Sequence, residues 1–208
     1  MNGKGRHMEW ARRVQSLAQI GLDFSKDPYD RERYTELEAL AAEMMAAASD
    51  LPVGQWMDIF AGETGYATPK IDVRGAVFRG DLVLLCRETD DGGWSLPGGW
   101  ADVNDSPSQA VIRELREETG AAVRCTKLAA VLDRDLHYHE DRRPFHSYKL
   151  MFLCELAGPA EGLCHDIAEA AFFPVGDLPP LSLRRTLPMH IELMHRHFLD
   201  PTLPTYFD

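Results

Sequence analysis

Basic residues are in short supply. In 208 residues, 22 Lys and Arg face 33 Asp and Glu, for a formal net charge of −11 and a pI near 5.1. A protein that tracks nucleic acid through its phosphates relies on clustered Lys and Arg in a basic domain, so the balance argues against a nucleic-acid partner. An anionic substrate would instead call for a bound cation. Long apolar runs are also missing: no stretch of about 18 uncharged apolar residues occurs, which excludes a typical membrane-spanning helix. The opening MNGKGRHMEWARRV has no apolar stretch ahead of Glu9, Arg12 and Arg13, so a secretory leader is not expected and a cytoplasmic location is. The four cysteines, Cys86, Cys125, Cys154 and Cys164, contain no CxxC pair, and reduced core thiols are the expectation. What remains is the composition of a globular protein: 45% hydrophobic, 26% charged, mean hydropathy −0.28.

The first 66 residues read as helices. Trp10, Val14, Leu17 and Gly21, flanked by Ala11, Ala18 and Leu22, follow the 3.6-residue period. Asp27 and Pro28 form an N-cap and first helical position, and Tyr34, Leu37, Ala41, Met44 and Ala48 define a second helix. A third segment runs from about Trp56 to Phe60 and stops near Gly62. From Ala67 the pattern changes to strands. Ile71 to Phe78 and Leu82 to Cys86 flank a turn at Arg79, Gly80 and Asp81, as in a hairpin. A Gly-rich loop from Asp91 to Gly99 follows, then a helix opened by the Ser106, Pro107, Gln109 capping box and closed by Gly120. Further strands are expected over Leu128 to Leu132, Leu150 to Leu156 and Ala170 to Pro174. A polar, His-rich loop spans Leu136 to His146, and a last helix spans Pro188 to Leu199. The expected division is a helical domain over 1–66 and a second domain over 67–208.

The chemistry sits on the capped helix. Glu114, Glu117 and Glu118 stand at i, i+3 and i+4 on one face with Ala110, while Ile112, Leu115 and Thr119 form another that can pack on a sheet. Three stacked carboxylates repel each other by about 0.2–0.5 kcal/mol per pair, and Arg113 at i−4 to Glu117 offsets only part of that. Hard oxygen ligands in this arrangement suit Mg²⁺, with Mn²⁺ as a substitute.

The stretch GWADVNDSPSQAVIRELREETGA resembles the Nudix box, G-x5-E-x7-R-E-U-x-E-E-x-G-U. Gly99, Arg113, Glu114, Leu115, Glu117, Glu118, Gly120 and Ala121 match in register. Asp105 replaces the first Glu of the box, one methylene shorter with the charge retained. Together with the W-x-L-P-G-G-W-A-D-V run from Trp94 to Val103, the helical leader and the ending around Leu178 to Arg185, the chain is similar to a Nudix subgroup with an N-terminal helical domain. That subgroup includes CDP-choline pyrophosphatases and ADP-ribose pyrophosphatases. The resemblance implies an α+β Nudix fold, a mixed β-sheet sandwiched between helices, preceded by a small all-helical domain that serves dimerisation or as a substrate lid.

It also implies metal ligation by Glu114, Glu117, Glu118 and the Gly99 carbonyl, with Asp105 and Arg113 supporting that helix. The catalytic candidates are Glu114, Glu118 and, downstream, Glu169; the alternative for Glu169 is a surface strand residue. Arg74, a charge amid Val73, Ala76 and Val77, is either a phosphate contact or a salt-bridge partner. Asp102 assists the metals or caps the loop. His137, Tyr138, His139 and His146 contact a base or choline group or are solvated, and Tyr29, Tyr34 and Trp100 are candidates for an aromatic cage. The expected activity is Mg²⁺-dependent hydrolysis of a nucleoside diphosphate linked to another moiety, in a homodimer. CDP-choline or a related CDP-alcohol is the first candidate and ADP-ribose the second. A nucleotide sensor without turnover and an RNA-end processing enzyme are the more distant alternatives.

Overall fold

A computed structural model of the chain describes residues 3–138, 145–158 and 167–208. It divides into two units, Met1–Lys70 with Asp135–His146, and Ile71–Arg134 with Ser147–Asp208.

The first unit is built on α1 (Gly3–Phe24), α2 (Pro28–Ala48) and α3 (Val53–Ala61). Asp27 caps α2 as its sequence position predicts, accepting from the Tyr29 and Asp30 amides at 2.9 and 3.1 Å, with Pro28 filling a place whose N–H would have no helical partner. Met8, Ala11, Ala41, Ala42, Met45, Trp56 and Phe60 form the core of this unit. The buried face of α1 differs from the expected stripe. Met8, Ala11 and Ala18 point inward, whereas Trp10, Leu17 and Phe24 stay exposed at seven-residue intervals. Apolar residues surround more than one face of α1, so periodicity identifies the helix without identifying the side its neighbours cover.

The second unit is a mixed sheet between helices. Its strands run in the order β3 (Trp94–Ser95), β2 (Leu82–Glu88), β1 (Lys70–Arg79), β5 (Ser147–Leu156), β4 (Val123–Asp133), β7 (Tyr206–Phe207), with β6 (Ile167–Pro174) also pairing β2. The expected hairpin is present, with Phe78 opposite Val83, and β4 and β7 pair in parallel. Period-2 alternation sorts each strand into two faces. Val73, Val77, Leu84, Phe152 and Cys154 pack against α4 (Pro107–Thr119) through Ala110, Val111 and Leu115. Ala76, Val83, Leu85, Met151 and Leu153 pack against α6 (Pro188–Leu199) through Ile191, Leu193 and Met194. This is the expected α+β sandwich. A single helical turn, α5 (Arg134–His137), starts the segment read as a loop, and His139 lies outside the described residues. No described helix is long and apolar enough to cross a membrane.

Candidate active site

Local chemistry sets α4 in place. Ser106 Oγ accepts from the Gln109 amide at 3.3 Å, Gln109 Oε1 accepts from the Ser106 amide at 3.0 Å, and Gly120 ends the helix in the left-handed conformation at φ 66°. The sheet-facing side is centred on Val111 and Leu115, with Ile112 at its edge, a rotation of part of a turn from the expected face. Glu114 and Glu118 are thereby turned inward while Glu117 stays half exposed.

A loop closes over these carboxylates. Its backbone is fastened along β1 by three hydrogen bonds: Gly75 N–H to Pro97 O at 2.9 Å, Val73 N–H to Gly99 O at 2.8 Å and Ala101 N–H to Ile71 O at 3.0 Å. At Gly98 the φ of 140° and a Val73 carbonyl only 2.1 Å from where a Cβ would stand exclude every side chain. The freed amide donates to Glu118 Oε2 at 2.7 Å. At Gly99 a Cβ would stand 2.8 Å from Glu114 Oε2, so the absence of a side chain lets main chain and carboxylate meet. The Gly99 carbonyl that the box resemblance assigns to metal already accepts one hydrogen bond, and its second lone pair is the one left for a cation.

Arg113 organises the exposed edge. Its Nε meets Asp105 at 3.1 Å, Nη1 meets Glu114 at 2.8 Å and Glu117 at 3.0 Å, and Nη2 meets Asp102 at 3.1 Å. The shorter Asp105 side chain still reaches the arginine, and Asp102 joins the same pairing. Burial raises the Glu118 carboxyl to about 7; Arg74 and the Gly98 amide oppose that rise, and the Glu114 and Glu88 charges add to it. Burial likewise raises Glu114, against the pull of Arg113. Two inward carboxyls, an exposed third and a nearby carbonyl make a hard-oxygen donor set of the kind that divalent cations take.

Arg74 forms a salt bridge in this structure. Buried in the second unit, it gives Nε to Asp72 Oδ1 at 2.8 Å and Nη1 to the Leu96 carbonyl at 3.1 Å. Asp72 also receives Lys149 Nζ at 2.6 Å, forming a buried Arg74–Asp72–Lys149 triad that sequence reading missed. The two cations hold Asp72 below the usual carboxylate range against its burial, and burial pulls Lys149 down to about 8. A signal was present: Asp72 and Arg74 share a face of β1 at i and i+2, and Lys149 interrupts an apolar strand.

Glu169, the expected downstream acid, lies on β6. It pairs across from Arg87, half exposed and 4.0 Å from that guanidinium, on the sheet face opposite Cys86, whose sulfur lies 3.5 Å from Glu118 Oε2. The acid that does influence Glu118 from outside the helix is Glu88, at the end of β2, held by Ser95 Oγ at 2.6 Å and Arg185 Nε at 3.2 Å. Nothing in its sequence context distinguished it from a loop-edge glutamate. His137, Tyr138, His146, Tyr29 and Tyr34 belong to the first unit, whereas Trp100 lies in the glycine loop.

A capped helix presenting three glutamates beneath a diglycine loop, carried on an α/β/α sandwich, defines a hydrolase of the Nudix class. Residues 68–195 match the NUDIX domain model, and the chain belongs to the Nudix hydrolase family. Residues 6–60 match a second model, a UDP-X-like, N-terminal oligomerisation domain. The Bacillus subtilis (strain 168) protein YjhB, provisionally named an ADP-ribose pyrophosphatase, is 44% identical over 201 residues, covering 97% of this chain and 96% of its own length. Among solved structures, a UDP-X diphosphatase aligns over 99% of both chains at 31% identity and a TM-score of 0.62. An ADP-ribose pyrophosphatase from Streptococcus suis aligns over 68% of this chain and 100% of its own, at 35% identity and a TM-score of 0.62.

Proposed function

We propose that the chain hydrolyses the pyrophosphate bond of a nucleoside diphosphate linked to a further group, with ADP-ribose as its substrate and Mg²⁺ as its cation. The observation that carries the reaction is the placement of the Glu114 and Glu118 carboxylates against the backbone of Gly99 and Gly98. Glu114, Glu117, Glu118 and the Gly99 carbonyl are the residues that would hold the cation. When bound there, a divalent ion neutralises diphosphate charge and acidifies a bound water. Glu118 is buried and held by the Gly98 amide, and in this reading its carboxylate receives the proton of the attacking water. The water oxygen joins one phosphorus as the bridging oxygen departs, giving AMP and ribose 5-phosphate. Arg113 keeps Glu114 and Glu117 aligned, supported by Asp105. Arg74 acts on Glu118 by its charge, anchored by Asp72.

ADP-ribose is favoured over CDP-choline because YjhB, similar along both units, carries that name, whereas none of these relatives is named for a CDP-alcohol. A UDP-linked substrate is the second reading, favoured by the alignment with the UDP-X diphosphatase over both units. With Mg²⁺, a panel of ADP-ribose, CDP-choline, a UDP-sugar and NADH is expected to give the highest kcat/KM on ADP-ribose, by at least about tenfold. A higher value on CDP-choline or the UDP-sugar would replace the substrate assignment. No turnover on any of them under Mg²⁺ or Mn²⁺ would favour a nucleotide sensor.

The chain acts as a homodimer in this reading, joined through the α1 stripe of Trp10, Leu17 and Phe24. The match of residues 6–60 to an oligomerisation domain supports that partner, and an exposed apolar stripe of this kind marks an association surface. Leu17→Glu is therefore expected to halve the mass measured by light scattering at micromolar concentration. An unchanged dimer in that variant would place the interface elsewhere.

A further inference from the structure

Three cysteines lie among the described residues, all as free thiols, and two of them face each other. Cys125 on β4 and Cys154 on β5 are directly opposed in the antiparallel register, immediately before the bulge at Thr126. Directly opposed residues have Cα atoms about 4.5 or 5.5 Å apart depending on pair type, and both values lie inside the span of about 4.4–6.8 Å that a disulfide bridges. The two thiols also interact across the strand pair. Cys125 is half-buried and open to a small reagent, while Cys154 is buried in the core beneath α4. Cys86, the third, is fully buried against Glu118 and Ser95 and has no cysteine partner among the described residues.

We propose that Cys125 and Cys154 form an oxidisable dithiol, a modification site at which a hydroperoxide converts two thiols into one cross-strand disulfide. Cys125 is the attacking sulfur. It is the more exposed of the two sulfurs and so the one a peroxide reaches, and its interaction with Cys154 lowers its thiol against the effect of burial. Cys154, buried in the core behind it, takes the resolving role. In the first step the Cys125 thiolate attacks a peroxide oxygen, the O–O bond breaks, and Cys125 becomes a sulfenic acid as water or an alcohol leaves. In the second, the Cys154 sulfur attacks the Cys125 sulfur, the S–O bond breaks, and hydroxide departs with the Cys154 proton as water. Two thiols are oxidised and one peroxide is reduced. The product staples β4 to β5 beneath the helix that carries the three glutamates. Cys86 is fully buried and faces no other described cysteine, so it stays reduced.

The test uses the intact chain, reduced, freed of reductant and exposed to stoichiometric hydrogen peroxide. Remaining thiols are capped with N-ethylmaleimide, and the protein is digested without reduction. The expected result is a peptide pair joining Cys125 to Cys154 that dithiothreitol separates, with Tm raised by about 5 °C. Cys125→Ser is expected to lose both the cross-link and the shift. Finding Cys125 as sulfinic or sulfonic acid beside a free Cys154, or joined to Cys164 or to a second chain, would overturn the proposal. Should the serine variant fail to fold, the wild-type peptide map decides by itself. The readout does not depend on which substrate the enzyme cleaves.

Discussion

Glu118→Gln is expected to lower kcat on the order of 10³-fold, as loss of a general base does, and at the same time to stabilise the metal-free protein at pH 8. The second effect follows from burial. An exposed glutamate titrates near 4.5 and Glu118 near 7 in the folded chain. Between those values the folded state holds more protons than the unfolded one, so stability is highest below pH 4.5 and declines as pH rises to 7. The decline attributable to Glu118 is on the order of 3 kcal/mol. Glutamine is neutral throughout and keeps an oxygen for the Gly98 amide, so this contribution to the pH profile should vanish. Urea unfolding of both proteins in chelator at pH 5 and pH 8, alongside turnover with Mg²⁺, measures the two effects together. A variant with near wild-type turnover would remove Glu118 from the chemistry. One that loses activity yet retains the full wild-type pH slope would refute the burial argument.

Asp72→Ala is expected to be among the most destabilising single substitutions in the second unit, by about 3–5 kcal/mol. The carboxylate serves two buried cations at once, Arg74 at 2.8 Å and Lys149 at 2.6 Å, and removing it leaves both without their shared counter-charge. Adding Lys149→Met should recover a large part of the loss, because a buried ion pair is often replaceable by well-packed apolar groups even where half of one is not tolerated. Chemical denaturation of the single and double variants measures the coupling. A single-variant loss below about 1 kcal/mol would mean that water or backbone groups replace the carboxylate.

The parts legible in the sequence were those specified by neighbours along the chain. Ser106, Pro107, Gln109 and Gly120 fix both ends of α4, and the three-and-four spacing of its glutamates fixes their common face. The hairpin at Gly80 and the N-cap at Asp27 are local in the same sense. What escaped depends on tertiary pairing. Asp72 and Lys149 lie 77 positions apart, and neither strand alone indicates that its charge will be neutralised inside. Glu169 lies within β6, and its face is set by the register of β6 on β2, which puts it opposite Arg87. Glu88 is held by Ser95 and Arg185, partners that its own sequence neighbours do not announce. The burial of α1 was misjudged because Trp10 and Leu17 are as apolar as Met8 and Ala11, and only the packing of α2 and α3 separates them. The two-residue β7 is too short for any pattern to announce.

At positions 98 and 99 the loop meets its carboxylates with main chain alone. At Gly98 any replacement drives a Cβ into the Val73 carbonyl, while at Gly99 it forces the Glu114 carboxylate to move. In a selection for cleavage of a new compound, gains should accumulate elsewhere in the gene while these two codons stay silent. Under the proposed reaction, recognition of the attached group can drift across a lineage while the main-chain contact of Gly98 to Glu118 is kept.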